Sequence, residues 1–288
     1  MENNEKNKLE KSTLYLVGTP IGNLADISER AIKVLNEVDF IAAEDTRNSM
    51  KLCSALGIKK ELVSYFEHNK KTSGEKIVSR LLRGESCALV TDAGMPAISD
   101  PGEDIVKLCA DAGITVSVIP GPCAAISALA LSGLGTAKFC FEGFLSAQKN
   151  DRKKQLEALT REARTMIFYE APHKLKATLS DMRDAFGGER KISLSRELTK
   201  LNEEVIRTTL DGALLTYGKK EPRGEYVLVV DGASEDSLSQ NEINPLLSLT
   251  PQAHVEHYIN TGLSKMDAIK AAAKDRKIPK SEMYKLVL

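Results

Sequence analysis

The chain has 288 residues, 42% apolar and 28% charged, with 40 basic and 40 acidic side chains. Those values describe a soluble globular protein long enough for two domains of ordinary size. A formal net charge of zero excludes a nucleic-acid binder that is basic along its whole length, and no apolar run approaches a membrane span.

Residues 1–12 are polar and mixed in charge, without the apolar stretch of a secretory signal, so a flexible tail is expected there. Leu14–Gly18 reads as a first strand, followed by the turn Thr19-Pro20-Ile21-Gly22-Asn23-Leu24. The turn carries neither a G-x-G-x-x-G fingerprint nor a P-loop, and read alone it is an ordinary strand-to-helix connection. The next helix has Asp26 or Ser28 near its start and Ala31, Ile32, Val34 and Leu35 on its apolar face. Val38–Ala43 reads as a second strand ending at Glu44-Asp45-Thr46-Arg47. Asp45 offers a proton acceptor and Arg47 a phosphate partner. The same residues also suit a helix N-cap with a salt bridge, and their types alone favour the cap.

A helix with Leu52 and Leu56 stops at Gly57, Val63–Tyr65 reads as a short strand, and Gly74–Arg83 as a helix. Ser86–Thr91 is a strand leading into Asp92-Ala93-Gly94-Met95-Pro96-Ala97-Ile98-Ser99-Asp100-Pro101-Gly102. Two Gly, two Pro and two Asp in one loop after a buried strand mark a ligand loop. Glu103–Gly113 is a helix, Thr115–Ile119 a strand, and Pro120-Gly121-Pro122 a sharp turn into the small-residue helix Ala124–Ser132. Strands alternating with helices imply a mainly parallel sheet covered on both faces.

Phe139–Phe144 holds three of the seven Phe, a cluster that suits either an adenine cover or core packing. Lys149–Arg164 reads as an amphipathic basic helix, with six basic and three acidic residues. Strands are expected at Thr165–Tyr169, Lys191–Ser195, Val205–Thr209 and Tyr226–Val230, with a helix at Leu175–Phe186. This half has more antiparallel character. The acidic, polar stretch around 233–250 reads as a linker. Short helices at His254–Asn260, Lys265–Lys274 and Ser281–Val287 fit a helix-turn-helix-like module, with Ser264 as a cap and Pro279 opening the last helix. A helical tail packed on the main body is the equal alternative.

Five scattered cysteines, Cys53, Cys87, Cys109, Cys123 and Cys140, lack zinc-knuckle spacing and fit a reducing cytosol. Cys123, in a Gly-Pro loop, reads either as a pocket-lining residue or, as its type favours, as a buried structural thiol. His254 and His257 have no third ligand near them, so no metal is expected.

The segments L-Y-L-V-G-T-P-I-G-N-L, A-A-E-D-T-R, T-D-A-G-M-P-A-I-S-D-P-G, I-P-G-P, F-E-G-F, F-Y-E-A-P-H, S-R-E-L-T-K and R-G-E-Y-V-L-V, taken in order, resemble the ribosomal RNA small subunit methyltransferase I family. Its members are 16S rRNA (cytidine-1402)-2'-O-methyltransferases of the tetrapyrrole methylase superfamily. The resemblance spans about Leu14–Asp231. It implies two α/β domains of class III S-adenosylmethionine methyltransferase type, over 13–145 and 146–232, with a helical module at 251–288. It also implies S-adenosyl-L-methionine as cofactor, 16S rRNA in the small subunit as partner, a homodimer, a cytoplasmic location and no membrane. On that template Gly94, Met95 and Ile98 hold the methionine end, while Ala124, Ala125 and Phe144 lie along the nucleoside. Tyr169, Gly224 and Glu225 close it, and Pro20 borders the cofactor on the substrate side with Asn23. Glu44, Asp45, Arg47 and Lys200 are the catalytic candidates. Where tetrapyrrole enzymes carry Asp in a G-G-D-P pattern this chain has Met95, which favours the rRNA branch. The alternatives are a tetrapyrrole or other small-molecule methylase, and a non-enzymatic nucleic-acid-binding accessory protein.

Overall fold

The structure, a computed structural model, describes residues 8–234, 245–276 and 278–287. Residues 1–7 of the expected tail and 235–244 of the expected linker lie outside the described residues. Within the tail's described end, Leu9 packs on the first core and Lys11 pairs with Asp39 at 3.0 Å.

Strands β1 (Thr13–Val17), β2 (Phe40–Ala43), β3 (Glu61–Ser64), β4 (Cys87–Val90) and β5 (Thr115–Ile119) form a parallel sheet in the order β3-β2-β4-β1-β5. Every residue of β2 and β4 is buried, because helices cover both faces. Strand alternation divides the core. Tyr15, Val17, Ile41 and Ala43 face α1 (Glu29–Glu37) and α2 (Thr46–Ala55) through Val34, Leu35 and Cys53. Leu14, Phe40, Ala42 and Leu89 face α3 (Lys70–Leu82) and α4 (Gly102–Asp111) through Ile77, Leu81, Ile105 and Cys109. Each fully buried Leu or Ile here contributes roughly 1.5–3 kcal/mol. Ser28 starts α1 by accepting from the Ala31 N–H at 3.1 Å.

The chain crosses to a second lobe through α5 (Ala124–Ser132). Strands β6 (Phe139–Phe144), β7 (Thr165–Glu170), β8 (Lys191–Arg196), β9 (Glu204–Thr209) and β10 (Tyr226–Val230) form a sheet in the order β6-β7-β10-β8-β9. Only the β6–β7 pair is parallel. Helix α5 covers one face, packing Ala125, Ala128 and Leu129 on Ile167, Val227 and Val229. The other face meets α6 (Lys149–Ala158), α7 (Pro172–Phe186) and α8 (Leu210–Lys219) through Leu156, Leu175, Leu179, Met182 and Tyr217.

Three details differ from the sequence expectations. The basic helix expected to reach Arg164 ends at Ala158, where the Thr160 hydroxyl donates to the Glu157 carbonyl at 2.9 Å. It is not amphipathic in the apolar sense, since it buries Arg152 alongside Leu156. Strand β6 hid because a bulge between Phe141 and Gly143, with Gly143 at φ +65°, breaks the period of two. Helix α8 hid because Gly212 and Gly218 interrupt its pattern, and Thr209 holds its start by accepting from the Gly212 N–H at 3.2 Å.

A separate compact unit comprises residues 161–163 and the chain from 232 onward. Its helices α9 (Pro251–Asn260), α10 (Lys265–Asp275) and α11 (Lys280–Val287) enclose Val255, Ala268, Ile269, Ala272 and Met283. Ser264 caps α10, accepting from the Asp267 N–H at 3.2 Å. His254 is fully buried, with Nε2 3.1 Å from Asp275 and Nδ1 accepting from Arg276 at 3.0 Å. Among the described residues no helix is long and apolar enough to cross a membrane.

Candidate active site

Loops at the carboxyl ends of β1, β4 and β5 form one wall of a cleft of about 740 Å³. They are tied to one another by backbone. The Thr19 N–H donates to the Gly94 carbonyl at 2.9 Å, and the Gly94 N–H to the Thr19 carbonyl at 3.2 Å. A Cβ on Gly18 would stand 2.7 Å from the Gly121 Cα, so the first turn and Pro120-Gly121-Pro122 touch only because both positions are glycine. The turn that sequence alone reads as ordinary thus joins the cleft through Ile21, which lines its wall.

The loop after β4 is held in a form L residues rarely adopt. Ala97 and Ser99 have φ +66° and +65°, and Gly94 has φ +86°. Asp100 Oδ1 fixes this loop by accepting from the Ala97 N–H at 3.0 Å and the Gly102 N–H at 2.7 Å. Such backbone cost is concentrated where a ligand needs a fixed contour.

The facing wall comes from the second sheet. Register places Phe144 beside Tyr169, Tyr169 beside Val227, and Val227 beside Ser195, so one transverse row of side chains lines the cleft. The Phe141 and Phe144 rings lie 5.0 Å and 5.5 Å from the Tyr169 ring, and burial raises the Tyr169 hydroxyl above its ordinary pKa. The turn after β8 is strained at Glu197 and Thr199, with φ +51° and +65°. Glu197 binds this turn to the one before β10, accepting from the Glu225 N–H at 3.0 Å. Lys200 Nζ bridges Glu197 at 3.0 Å and Glu225 at 2.8 Å. Partial burial works against the Lys200 charge, but the two carboxylates outweigh it and raise its pKa. The Glu225 backbone N–H, with Lys200, lowers that of Glu197.

Of the residues singled out from sequence, Glu44, Gly94, Met95, Ile98, Ala124, Phe144, Tyr169, Lys200 and Glu225 line the cleft together. Glu44 accepts from the Thr91 hydroxyl at 2.7 Å. Pro20 and Asn23 flank Ile21 outside the wall, and Ala125 lies beneath it in the α5 contact. Gly224, at φ +77°, backs Glu197. Asp45 caps α2, accepting from the Arg47 N–H at 2.8 Å and pairing with the Arg47 guanidinium at 2.7 Å. That bond holds the Asp45 carboxyl down at about 2. Neither Asp45 nor Arg47 is in the cleft wall.

Sequence reasoning did not select Ile21, Glu170, Ser195, Glu197, Leu198 or Val227, all of which line the cleft. The S-R-E-L-T-K and R-G-E-Y motifs carried most of the signal. Cys123, expected to be a buried structural thiol, is half-buried in the cleft wall, because it is the residue that turns the chain from Pro122 into α5. Glu170 is buried, accepting from the Ala171 N–H at 2.8 Å and the Thr178 hydroxyl at 2.5 Å.

A parallel lobe and a mixed lobe facing one cleft of loops define a two-lobed α/β enzyme whose ligands enter between its sheets. The model of the tetrapyrrole (corrin/porphyrin) methylases matches residues 13–213. A protein of Bacillus subtilis called ribosomal RNA small subunit methyltransferase I is 50% identical over 96% of this chain and 94% of its own length. One of the same name from Halalkalibacterium halodurans is 48% identical over 96% of this chain and 95% of its own. A solved diphthine synthase superposes with a TM-score of 0.58, covering 76% of this chain and 90% of that one, at 15% identity that speaks for the fold alone. The chain belongs to the tetrapyrrole methylase family and, within it, to the ribosomal RNA small subunit methyltransferase I group; it is a methyltransferase.

Proposed function

We propose that the protein methylates the ribose 2'-oxygen of cytidine 1402 in the 16S rRNA of the small ribosomal subunit, using S-adenosyl-L-methionine. The observation that carries this reading is the convergence of the family's separate sequence motifs on a single cleft, in a chain half identical to a relative of that name.

The cleft suits the cofactor. Gly94 brings backbone into the cleft wall without a side chain, and the Phe144 and Tyr169 rings offer aromatic surface on the facing wall. The cofactor supplies a methyl group already activated on a sulfonium. The protein's share is alignment and removal of one proton. Gly94, Met95 and Ile98 would hold the methionine end, Ala124, Ala125 and Phe144 the nucleoside, with Tyr169, Gly224 and Glu225 closing over it and Pro20 at its border. Fixing donor and hydroxyl about 3 Å apart and in line is worth several kcal/mol. Asn23, Glu44, Asp45 and Arg47 form the substrate side. Glu44 or Asp45 takes the hydroxyl proton, and Lys200 or Arg47 polarises the oxygen or grips a neighbouring phosphate. A homodimer in the cytoplasm, where the small subunit is, completes the proposal, and sedimentation at the mass of two chains checks it.

The deciding experiment is mass spectrometry of rRNA from cells lacking the protein. One ribose methyl should be missing at cytidine 1402 and return on complementation. An unchanged methylation map overturns the target. Methyl transfer to a protein-free porphyrinogen, with none to small subunits, would replace it by the tetrapyrrole reading.

A further inference from the structure

The transverse row of the second sheet ends in a group that the fold leaves unused. Phe144, Tyr169 and Val227 are followed across the strands by Ser195, all four on the cleft side of the sheet. Ser195 is 1% exposed, and its Oγ has no hydrogen-bond partner among the described residues. A buried hydroxyl without a partner costs about 1–3 kcal/mol, and Ser195, unlike the equally unpartnered Ser193, lies in the cleft wall, where a ligand can supply that partner. The row presents two aromatic rings and Val227, and beside the Tyr169 phenol Ser195 adds an aliphatic hydroxyl that both donates and accepts. That pattern fits a planar heterocycle lying on the row with a polar edge towards Ser195.

We propose that Ser195 Oγ hydrogen-bonds the edge of a nucleobase held on the Phe144–Tyr169–Val227 row. The inference rests on the methyl-transfer reading and deepens it. Two bases are available to that reaction, the adenine of the cofactor and the base of the target nucleotide. Ser193 provides an internal control. It is two residues earlier on the same face of β8, beside Val229 under α5, equally buried and equally unpartnered, but outside the cleft wall.

The test uses the full chain and its Ser195→Ala, Ser195→Thr and Ser193→Ala variants. Calorimetry measures S-adenosylmethionine and S-adenosylhomocysteine binding, and steady-state kinetics measures methylation of small ribosomal subunits. If the base is adenine, Ser195→Ala raises both dissociation constants about five- to tenfold, Ser195→Thr restores affinity, and Ser193→Ala changes nothing. If the base is the target's, cofactor binding holds and KM for the subunit rises by a similar factor with kcat retained. Without ligand, Ser195→Ala should melt no lower than wild type, because it removes no partnered group. A melting point several degrees lower marks a structural hydroxyl and overturns the inference, as does a variant unchanged in both affinity and KM. Wild-type protein that binds no S-adenosylmethionine overturns the functional reading itself, a result separate from a Ser195→Ala variant that binds it as wild type does.

Discussion

Single residues in this protein are bound by what their neighbours already demand of them. Asp45 shows this most plainly. Its carboxylate caps α2 and pairs with Arg47, which draws its pKa from 3.8 down to about 2. A depressed folded value means that the group is ionised throughout the range above about pH 4, so its protonation cannot limit the rate near neutrality. It is also a weak base, suited to orienting a hydroxyl as much as to taking its proton. Asparagine caps a helix about as well as aspartate, so Asp45→Asn should fold normally. Turnover should fall on the order of a hundredfold with cofactor affinity within about twofold. Turnover at the wild-type level removes Asp45 from the mechanism and leaves Glu44, the carboxylate that does line the cleft. Gly224 is bound differently. It has φ +77°, and a Cβ there would stand 2.4 Å from Glu197 Cγ, inside the wall that Glu197, Lys200 and Glu225 build. Gly224→Ala should cost about 2 kcal/mol in urea unfolding and weaken cofactor binding as well. Wild-type stability together with wild-type affinity would show that the wall tolerates displacement.

At the scale of elements, legibility followed periodicity and local punctuation. The buried runs Phe40–Ala43 and Cys87–Val90 and the capped helices could be read because a parallel sheet needs apolar strands and each helix start needs an acceptor. Strand β6 and helix α8 could not, since a bulge and two glycines erase the very patterns that reveal such elements. The cleft was partly legible, because glycine and proline betray a shaped loop. What stayed hidden was anything fixed by register, such as the alignment of Ser195 with Tyr169 across β10. Charge was the least legible. Arg152 counts among the cations of the basic stretch, yet it is buried, pairing with Asp181 at 2.6 Å and donating to the Ser146 carbonyl at 3.2 Å. It ties α6 to α7 and offers no phosphate a grip. Removing one partner of such a pair strands the other charge, so Asp181→Ala should lower unfolding stability by about 3–5 kcal/mol, read from the urea midpoint. A loss under about 1 kcal/mol would mean that Arg152 finds water or another carboxylate.

The whole molecule comprises two compact units of different character. Every residue of the cleft wall belongs to the unit that ends at Asp231. The helical unit has its own core around Ile269 and Met283, and a fully buried His254 held by Asp275 and Arg276. Lys265, Lys270, Lys274, Lys280 and Lys285 are all exposed on it, while the chain as a whole has no net charge. The cleft, by contrast, is lined by Glu44, Asp92, Asp100, Glu170, Glu197 and Glu225 against Lys200. An acidic cleft favours a cationic donor and repels phosphate, so an anionic ribosomal substrate must be held largely elsewhere. Deleting Pro251–Leu288 should therefore leave S-adenosylmethionine affinity within about twofold. It should weaken small-subunit binding severalfold and flatten its salt dependence, because each lost phosphate contact removes close to one unit of the logarithmic salt slope. Calorimetry for the cofactor and filter binding at several salt concentrations separate the two effects. Equal loss of both affinities would make the helical unit a structural support, and loss of neither would return the work of gripping the particle to the cations of the first unit.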